Sequence, residues 1–203
     1  MNILVTGGAG YIGSVLVPML LAKNHHVTVV DNFMYQQTSL LDVCHNKNLT
    51  LHRAEVRDMK LMGEVMKKAD VVLPLACLTG APICSRDTVG AETINRDAIL
   101  NLYKLKSSAQ MFFFPCTNSG YGIGQEGVFC DENTPMKPVS LYGRLKVEVE
   151  QFLLDKGDCL TFRFATVFGV SPRMRLDLLV NDFTYRAVHD KFVVLFEAHF
   201  KRN

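Results

Sequence analysis

Residues 2–13 read NILVTGGAGYIG and carry the strongest structural signal in the chain. An apolar, strand-like run leads straight into Gly8, Gly10 and Gly13, which satisfy G-x-G-x-x-G, while Gly7 in place of Gly8 gives the looser G-x-x-G-x-x-G. One glycine allows a tight turn, another lets a pyrophosphate approach the backbone, and the third lets a helix pack close to the sheet. The N-terminus of that helix adds N–H groups and a positive dipole end. The stretch therefore predicts a dinucleotide-binding site.

An acidic residue ends the next strand-like run. Asp31 follows Val27-Thr28-Val29-Val30, where a carboxylate would accept hydrogen bonds from an adenosine ribose. A carboxylate repels a 2′-phosphate, and Asn32 follows with no Arg or Lys close by in the sequence. We therefore expect NAD rather than NADP as the cofactor.

Composition restricts the class of protein. A chain of 203 residues, 48% of them hydrophobic, suggests one domain, or one domain plus a fragment, with a sizeable core. Its 22 basic and 20 acidic residues leave a charge of +2, which gives no electrostatic case for a nucleic-acid or membrane partner. Apolar runs are too short to span a bilayer. Met1 opens almost directly onto the first strand, so we expect a cytoplasmic protein without a signal peptide.

The six cysteines are scattered, with no C-x-x-C pair, and the six histidines show no metal-ligand spacing with them. Reduced thiols are typical of this usage in the cytoplasm. We expect no metal site.

Strand-like and helix-like segments alternate along the chain, which predicts an α/β fold: a doubly wound, Rossmann-type parallel sheet with helices on both faces. Pro18 lies inside the first predicted helix and should bend it. We predict strands near 2–6, 27–31, 49–53, 70–75, 111–116 and 159–165, and helices near 11–23, 58–68, 86–107, 141–156 and 175–189.

A second motif, YGRLK, places Tyr142 and Lys146 four residues apart on a helix-like segment, so that they share one face. A nearby ammonium stabilises a phenolate, so we expect Lys146 to lower the pKa of Tyr142. Such a tyrosine exchanges a proton with a substrate hydroxyl while a nicotinamide takes the hydride. The pattern Y-x-x-x-K alone is common on surface helices, but here it follows a dinucleotide-type N-terminus.

With these motifs the sequence resembles the extended short-chain dehydrogenase/reductase family, and within it the NAD-dependent epimerase/dehydratase group that acts on nucleotide sugars. Glu55-Val56 falls where the family places an acid and an apolar residue against the adenine. Leu75-Ala76-Cys77 resembles a segment beside the cofactor, with Pro74 in place of His, and Asn95 matches an asparagine of the central helix. The resemblance, together with the glycine motif, implies these cofactor-binding residues: Gly7, Gly10, Tyr11, Ile12, Gly13, Asp31, Asn32, Glu55, Val56, Leu75, Ala76, Cys77, Asn95, Tyr142, Lys146, Thr166 and Val167.

The segment 115–122, PCTNSGYG, looks like the family's active-site Ser/Thr loop. The resemblance makes Thr117 the catalytic hydroxyl beside Tyr142 and Lys146, with Ser119 as a competing candidate that would otherwise be a turn residue. The family's dehydratases place Asp then Glu directly after this threonine. Asn118 and Ser119 stand there instead and cannot act as general acids, which argues against dehydration.

The resemblance also implies contacts to the nucleotide-sugar substrate. Thr117 and Ser119 would reach the sugar, while Asn181 and Arg202 resemble residues that hold the diphosphate, Arg202 through its bidentate guanidinium. Without the resemblance, Asn181 and Arg202 would be read as surface residues.

Family members continue well beyond the length of this chain, so the resemblance implies a C-terminally truncated member. We expect an NAD-binding domain over 1–168, which includes the Tyr/Lys helix, and a partial substrate region over 169–203. Residues 192–196 read as a strand without its usual cover, which favours association, and we expect a homodimer. The function implied is a nucleotide-sugar epimerase. The alternatives are a nucleotide-sugar dehydrogenase or reductase, a dehydratase, or an NAD-binding module without turnover.

Overall fold

Six parallel strands form a single sheet in the computed structural model, which describes residues 1–123 and 129–195. The strand order is β3-β2-β1-β4-β5-β6, so the order reverses between β1 and β4. The doubly wound, Rossmann-type fold predicted from the sequence is confirmed. The strands are β1 (Asn2–Thr6), β2 (His26–Asp31), β3 (Leu49–Arg53), β4 (Val71–Pro74), β5 (Met111–Thr117) and β6 (Leu160–Phe164).

Helices connect the strands, as the right-handed crossovers of a parallel sheet require. Short 3₁₀ turns occur at Leu41–Val43 and Asn118–Tyr121. The helices are α1 (Gly13–Ala22), α2 (Met59–Met66), α3 (Ala81–Arg86), α4 (Thr88–Glu92), a π-helical turn (Thr93–Asp97), α5 (Ala98–Leu105), α6 (Leu141–Lys156) and α7 (Leu179–His189).

Each face of the sheet has its own apolar core, because side chains alternate along a strand. In β1, Leu4 packs with Met62 of α2 and Leu102 of α5. Its neighbour Val5 points the other way and packs with Val17 of α1. This two-sided cover explains the nearly continuous apolar runs that predicted the strands.

The structure departs from the sequence predictions in the helices and at the end of the described chain. The helix predicted over 86–107 is divided into α4, the π-helical turn and α5, and α3 precedes it. Helix α1 runs unbroken through Pro18. The strand predicted over 192–196 is wrong for residues 192–195, which form no strand because no described strand lies beside them to pair with; Phe196 lies outside the described residues.

Residues that follow β6 pack back onto the start of the chain. The Tyr11 hydroxyl donates a hydrogen bond of 2.6 Å to the Gly169 carbonyl oxygen, and the Ser171 hydroxyl donates one of 2.7 Å to the Tyr11 carbonyl oxygen. The division of the chain at residue 168 stays a prediction. Among the described helices, none has the length and apolar character needed to cross a membrane.

Candidate functional site

A cavity of about 540 Å³ opens at the carboxyl ends of the strands, around the point where the strand order reverses. Open α/β sheets bind their ligands at this point. Two predicted site residues within the described chain, Asn95 and Asn181, do not line the cavity. The predicted residues that do line it are Gly7, Gly10, Tyr11, Ile12, Gly13, Asp31, Asn32, Glu55, Val56, Leu75, Ala76, Cys77, Thr117, Ser119, Tyr142, Lys146, Thr166 and Val167.

The glycine loop joins β1 to α1 with no space for side chains at two positions. Gly7 has a φ of +68°, and a Cβ atom there would lie 2.6 Å from the backbone nitrogen of Ala76. A Cβ atom at Gly13 would lie 2.5 Å from the Cα atom of Gly8, so α1 begins directly against the loop. The bare backbone and the start of a helix therefore meet at the cavity wall, which fits the approach of a pyrophosphate.

Asp31 ends β2 and is buried beside the glycine loop. Its Oδ2 atom accepts a hydrogen bond of 3.0 Å from the Ala9 nitrogen. Its Oδ1 atom accepts bonds from the Phe33 nitrogen at 2.8 Å and from Gln37 Nε2 at 3.3 Å. An ionised carboxylate has about four acceptor positions, so one remains for a ribose hydroxyl.

Asn32 and Glu55 form a polar edge next to Asp31. Asn32 Nδ2 donates a hydrogen bond of 2.8 Å to Glu55 Oε1, and Arg57 pairs with the other carboxylate oxygen at 2.9 Å. The bond from Asn32 is the largest cause that lowers the pKa of the Glu55 carboxyl. The adenine contact predicted for Glu55 and Val56 stays a prediction, with both residues on the cavity wall.

Asn95 lies behind the wall rather than on it. Its Oδ1 atom accepts a hydrogen bond of 2.8 Å from the Leu78 nitrogen, and its Nδ2 atom donates one of 2.9 Å to the Leu78 carbonyl oxygen. The π-helical turn that carries Asn95 also brings Ile94 to the cavity surface. Asn95 therefore braces the segment that follows β4, and its contact with a cofactor stays a prediction.

Helix α6 brings Tyr142 to the end of β5. Its N-terminus is capped by Ser140, whose hydroxyl accepts a hydrogen bond of 3.1 Å from the Gly143 nitrogen. The Thr117 hydroxyl accepts a hydrogen bond of 3.2 Å from the Ser119 nitrogen and lies close enough to the Tyr142 phenol to lower its pKa. The catalytic role of Thr117 stays a prediction.

The predicted lowering of the Tyr142 pKa by Lys146 is wrong for this structure. The Lys146 Nζ atom donates a hydrogen bond of 2.9 Å to the Pro115 carbonyl oxygen, so its charge is directed to the strand. Burial raises the pKa of Tyr142 above its ordinary value, while the nearby Thr117 hydroxyl opposes this rise. Three neighbouring thiols add to the rise: Cys77, Cys116 and Cys84.

Of the two residues predicted to hold the substrate diphosphate, Asn181 does not line the cavity, and Arg202 lies outside the described residues. Asn181 is buried in α7, where its Oδ1 atom accepts a hydrogen bond of 2.9 Å from the Gly169 nitrogen. Its Nδ2 atom donates bonds of 2.9 Å to the Tyr11 hydroxyl and to the Arg175 carbonyl oxygen. Asn181 thus ties the segment after β6 to the glycine loop.

Sequence reasoning missed three charged residues that follow β6 and line the cavity: Arg173, Arg175 and Asp177. The Arg175 guanidinium pairs with the Asp177 carboxylate, which lowers the pKa of that carboxyl. The sequence signal was the run SPRMRLD, whose two arginines stand close together just beyond a strand that ends at the site. Tyr35, in the loop after β2, was missed as well.

All six cysteines are free thiols. Cys77 lines the cavity, while Cys84 and Cys116 are buried and burial raises the pKa of each thiol. Over residues 1–123 and 129–195, no group of three or more His, Cys, Asp or Glu side chains is arranged to hold a metal ion.

Comparison with known proteins gives consistent matches along most of the chain. Residues 3–197 match the model of the NAD dependent epimerase/dehydratase family. An uncharacterized UDP-glucose epimerase of Bacillus subtilis, YtcB, is 30% identical over 97% of this chain and 65% of its own length. A UDP-glucose 4-epimerase of Cyamopsis tetragonoloba is 29% identical over 76% of this chain and 46% of its own.

Solved structures give the same result. The UDP-glucuronic acid 4-epimerase of Bacillus cereus, determined in complex with UDP-glucuronic acid and NAD, superimposes with a TM-score of 0.81. It is 25% identical, and the match covers 94% of this chain and 64% of that one. The chain spans about half to two thirds of the length of these three proteins.

Proposed function

Because the chain belongs to the NAD dependent epimerase/dehydratase family, we propose that it acts as an NAD-dependent nucleotide-sugar epimerase. The observation that carries the proposal is that Thr117 and Tyr142 line the same cavity as the glycine loop and Asp31. Membership of the family confirms the resemblance predicted from the sequence and the NAD cofactor predicted with it.

The proposed chemistry divides between cofactor and protein. Acceptance of a hydride from a ring carbon of the sugar, and its later return, is the chemistry that NAD would supply when bound. Tyr142, as its phenolate, would take the proton of the hydroxyl on that carbon, and Thr117, which lies near the phenol, would hold the same oxygen. The positive charge of an oxidised nicotinamide would favour that phenolate against the effect of burial. Lys146, bonded to Pro115, holds α6 against β5 and so fixes the position of Tyr142. The keto sugar would then reorient within the site, and return of the hydride to its other face would give the epimer.

A dehydration is less well supported by the same loop. Asn118 and Ser119 follow Thr117, and neither side chain is a general acid. A net dehydrogenase or reductase would use the same Tyr142 proton transfer but would consume free cofactor. The epimerase is preferred to the dehydratase because the transfer and return of a hydride need no general acid beyond the groups present.

A second candidate is an NAD-binding module without turnover. It is favoured by Asn181, whose amide hydrogen-bonds within the protein and does not line the cavity. Binding energy from remote parts of a substrate positions the reacting carbon, so its loss lowers turnover as well as affinity.

The homodimer stays a prediction. Phe162 and Phe164, on the edge strand β6, are 42% and 41% exposed, and exposed apolar edges favour self-association. Cytoplasmic location stays a prediction as well.

The experiment that tests the function mixes the purified chain with NAD and a panel of nucleotide sugars. Sugar conversion without net NADH marks an epimerase, net NADH marks a dehydrogenase, and cofactor binding alone marks the module. The matched variant is Tyr142→Phe, which keeps the aromatic ring and removes the hydroxyl group that exchanges the proton. We expect it to bind NAD normally and to lose roughly 10²- to 10⁴-fold in turnover. Normal turnover by Tyr142→Phe would overturn the proposed chemistry.

A further inference from the structure

We propose that Arg173, held over the ring of Tyr35, binds the diphosphate group of a nucleotide in the large cavity. Both residues line that cavity. The inference rests on the proposed function, because it assigns a further binding residue to the same site.

The Arg173 side chain is held in place on one side only. Its guanidinium carbon lies 4.4 Å from the centroid of the Tyr35 ring. One guanidinium nitrogen donates a hydrogen bond of 2.8 Å to the Met174 carbonyl oxygen. Among the described residues, no carboxylate lies within ion-pair distance of Arg173. The nearby Asp177 carboxylate, which pairs with Arg175, feels the charge of Arg173 at longer range. Stacking on an aromatic ring orients a guanidinium and leaves its N–H edge available for an anion.

The other cations that line the cavity are already engaged. Arg175 is matched by the Asp177 carboxylate, at 3.1 Å between Nε and Oδ1. Lys146 is bonded to the Pro115 carbonyl oxygen, beside Tyr142. Among the described cations that line the cavity, Arg173 is therefore the one that is neither in an ion pair, as Arg175 is, nor buried, as Lys146 is.

Hydrogen bonds place Arg173 between the two parts of the predicted cofactor site. Its backbone nitrogen donates a bond of 3.2 Å to the Ser171 hydroxyl, which in turn donates one of 2.7 Å to the Tyr11 carbonyl oxygen in the glycine loop. On the other side, the Tyr35 nitrogen donates a bond of 3.2 Å to the Gln37 side chain, which donates one of 3.3 Å to Asp31.

A dinucleotide that places its adenosine ribose at Asp31 brings its pyrophosphate to the neighbouring glycine loop. The guanidinium fork matches two phosphate oxygens at once. A nucleotide sugar also carries a diphosphate, so the chemistry alone fits either ligand. Arg173 is linked through Ser171 to Tyr11 of the glycine loop, and it stacks on Tyr35 in the loop that follows Asp31; both links favour the cofactor.

The test measures binding by calorimetric titration of the 203-residue chain with NAD, with ADP, with adenosine, and with UDP. The variants are Arg173→Ala, Arg173→Lys and Tyr35→Leu, and Arg86→Ala serves as control because Arg86 is exposed and lies outside the cavity. Circular dichroism melting of each variant verifies that it folds.

We expect Arg173→Ala to weaken NAD and ADP binding roughly ten- to a hundredfold, as the loss of charge-assisted hydrogen bonds implies, and to leave adenosine unchanged. The affinities of Arg173→Lys and Tyr35→Leu for NAD and ADP should fall between those of the unchanged protein and Arg173→Ala. Arg86→Ala should bind both ligands as tightly as the unchanged protein. Added salt should narrow the difference between the unchanged protein and Arg173→Ala, because the contact is electrostatic.

The ligands distinguish the source of the diphosphate. Weaker NAD and ADP binding with unchanged UDP binding assigns Arg173 to the cofactor, whereas weaker UDP binding alone assigns it to the substrate. Equal binding of NAD and UDP by Arg173→Ala and the unchanged protein overturns the inference while leaving the proposed function standing. Failure of the unchanged protein to bind NAD overturns the proposed function, and this inference with it.

Discussion

The Nζ atom of Lys146 donates a hydrogen bond of 2.9 Å to the carbonyl oxygen of Pro115. The same ammonium lies 4.6 Å from the centroid of the Phe114 ring, so the end of this side chain is fastened to β5. Because β5 ends at Thr117, the bond sets the position of α6 relative to the hydroxyl that lies near Tyr142. Lys146 therefore has a structural role in the site, beside the functional role predicted for it.

Two substitutions at Lys146 separate these roles. Lys146→Met keeps the length of the side chain and removes the charge, whereas Lys146→Ala also leaves a cavity. We expect both to lose turnover and NAD affinity. Since Lys146 is only 3% exposed, Lys146→Ala should lower the free energy of unfolding further, by about 1–3 kcal/mol relative to Lys146→Met. Urea unfolding measures the difference, and equal stability of the two variants would contradict the packing role.

The pH dependence of Tyr142 follows from its burial, which raises the pKa of the phenol above the ordinary tyrosine value. Ultraviolet titration of the wild type minus Tyr142→Phe should show a tyrosine that ionises later than an ordinary one. The pKa of this phenol is higher in the folded than in the unfolded protein. Its contribution to the free energy of unfolding is therefore fully present below the unfolded pKa. That contribution is lost as pH rises towards the folded pKa, because the unfolded state releases the proton first. Wild type should therefore lose stability relative to Tyr142→Phe in that interval. An ionisation at or below the ordinary value would count against burial as the cause.

Much of the fold follows from local sequence patterns. The apolar strands and the glycine motif identify β1, the start of α1 and Asp31, because each depends on residues close together in the chain. The sequence does not reveal contacts across long separations. Asn95 and Asn181 carry amides that the sequence assigns to ligands, but the fold uses them to bond Leu78 and Tyr11.

The electrostatics of the site were harder to predict for the same reason. The spacing of Tyr142 and Lys146 indicates a shared helix face, but not that the ammonium bonds to Pro115. Burial, which raises the pKa of Tyr142, depends on the packing of several elements. Arg173 went unnoticed because its partner Tyr35 lies far from it in the sequence.

The glycine loop gives a prediction with an internal control. A Cβ atom at Gly13 would lie 2.5 Å from both the Cα and the carbonyl oxygen of Gly8, whereas one at Gly63, inside α2, meets nothing within 4 Å. Gly13→Ala should therefore destabilise the protein by roughly 2 kcal/mol or more. Gly63→Ala should stabilise it by roughly 0.5–1 kcal/mol, because alanine is the better helix former. Thermal unfolding of both variants measures these changes in stability. An unchanged stability of Gly13→Ala would show that the loop can shift to accommodate the added Cβ atom.

Asp31 gives a prediction about cofactor choice. We expect the wild type to bind NAD more tightly than NADP, since the carboxylate at the end of β2 repels a 2′-phosphate. Asp31→Asn removes the charge and should narrow the preference for NAD over NADP. It should also weaken the hydrogen bond of 3.0 Å that the Ala9 nitrogen donates to this side chain. Calorimetric titration with both cofactors measures the ratio. Tighter binding of NADP by the wild type would remove Asp31 from its predicted role at the ribose.

Self-association is expected from the exposed aromatic side chains of the sheet edge. The Phe162 ring stacks between Phe113, at 6.2 Å between centroids, and Phe164, at 5.8 Å. This ladder lies on β5 and on β6, which ends the sheet, so its apolar surface is available to a second copy of the chain. Phe162→Lys places a charge in the ladder and should shift the mass in solution towards the monomer. The matched control is Val89→Lys, at a position 70% exposed on α4, which should leave the mass unchanged. Light scattering over a range of concentrations measures both, and a wild type that stays monomeric throughout would show that the ladder does not drive association.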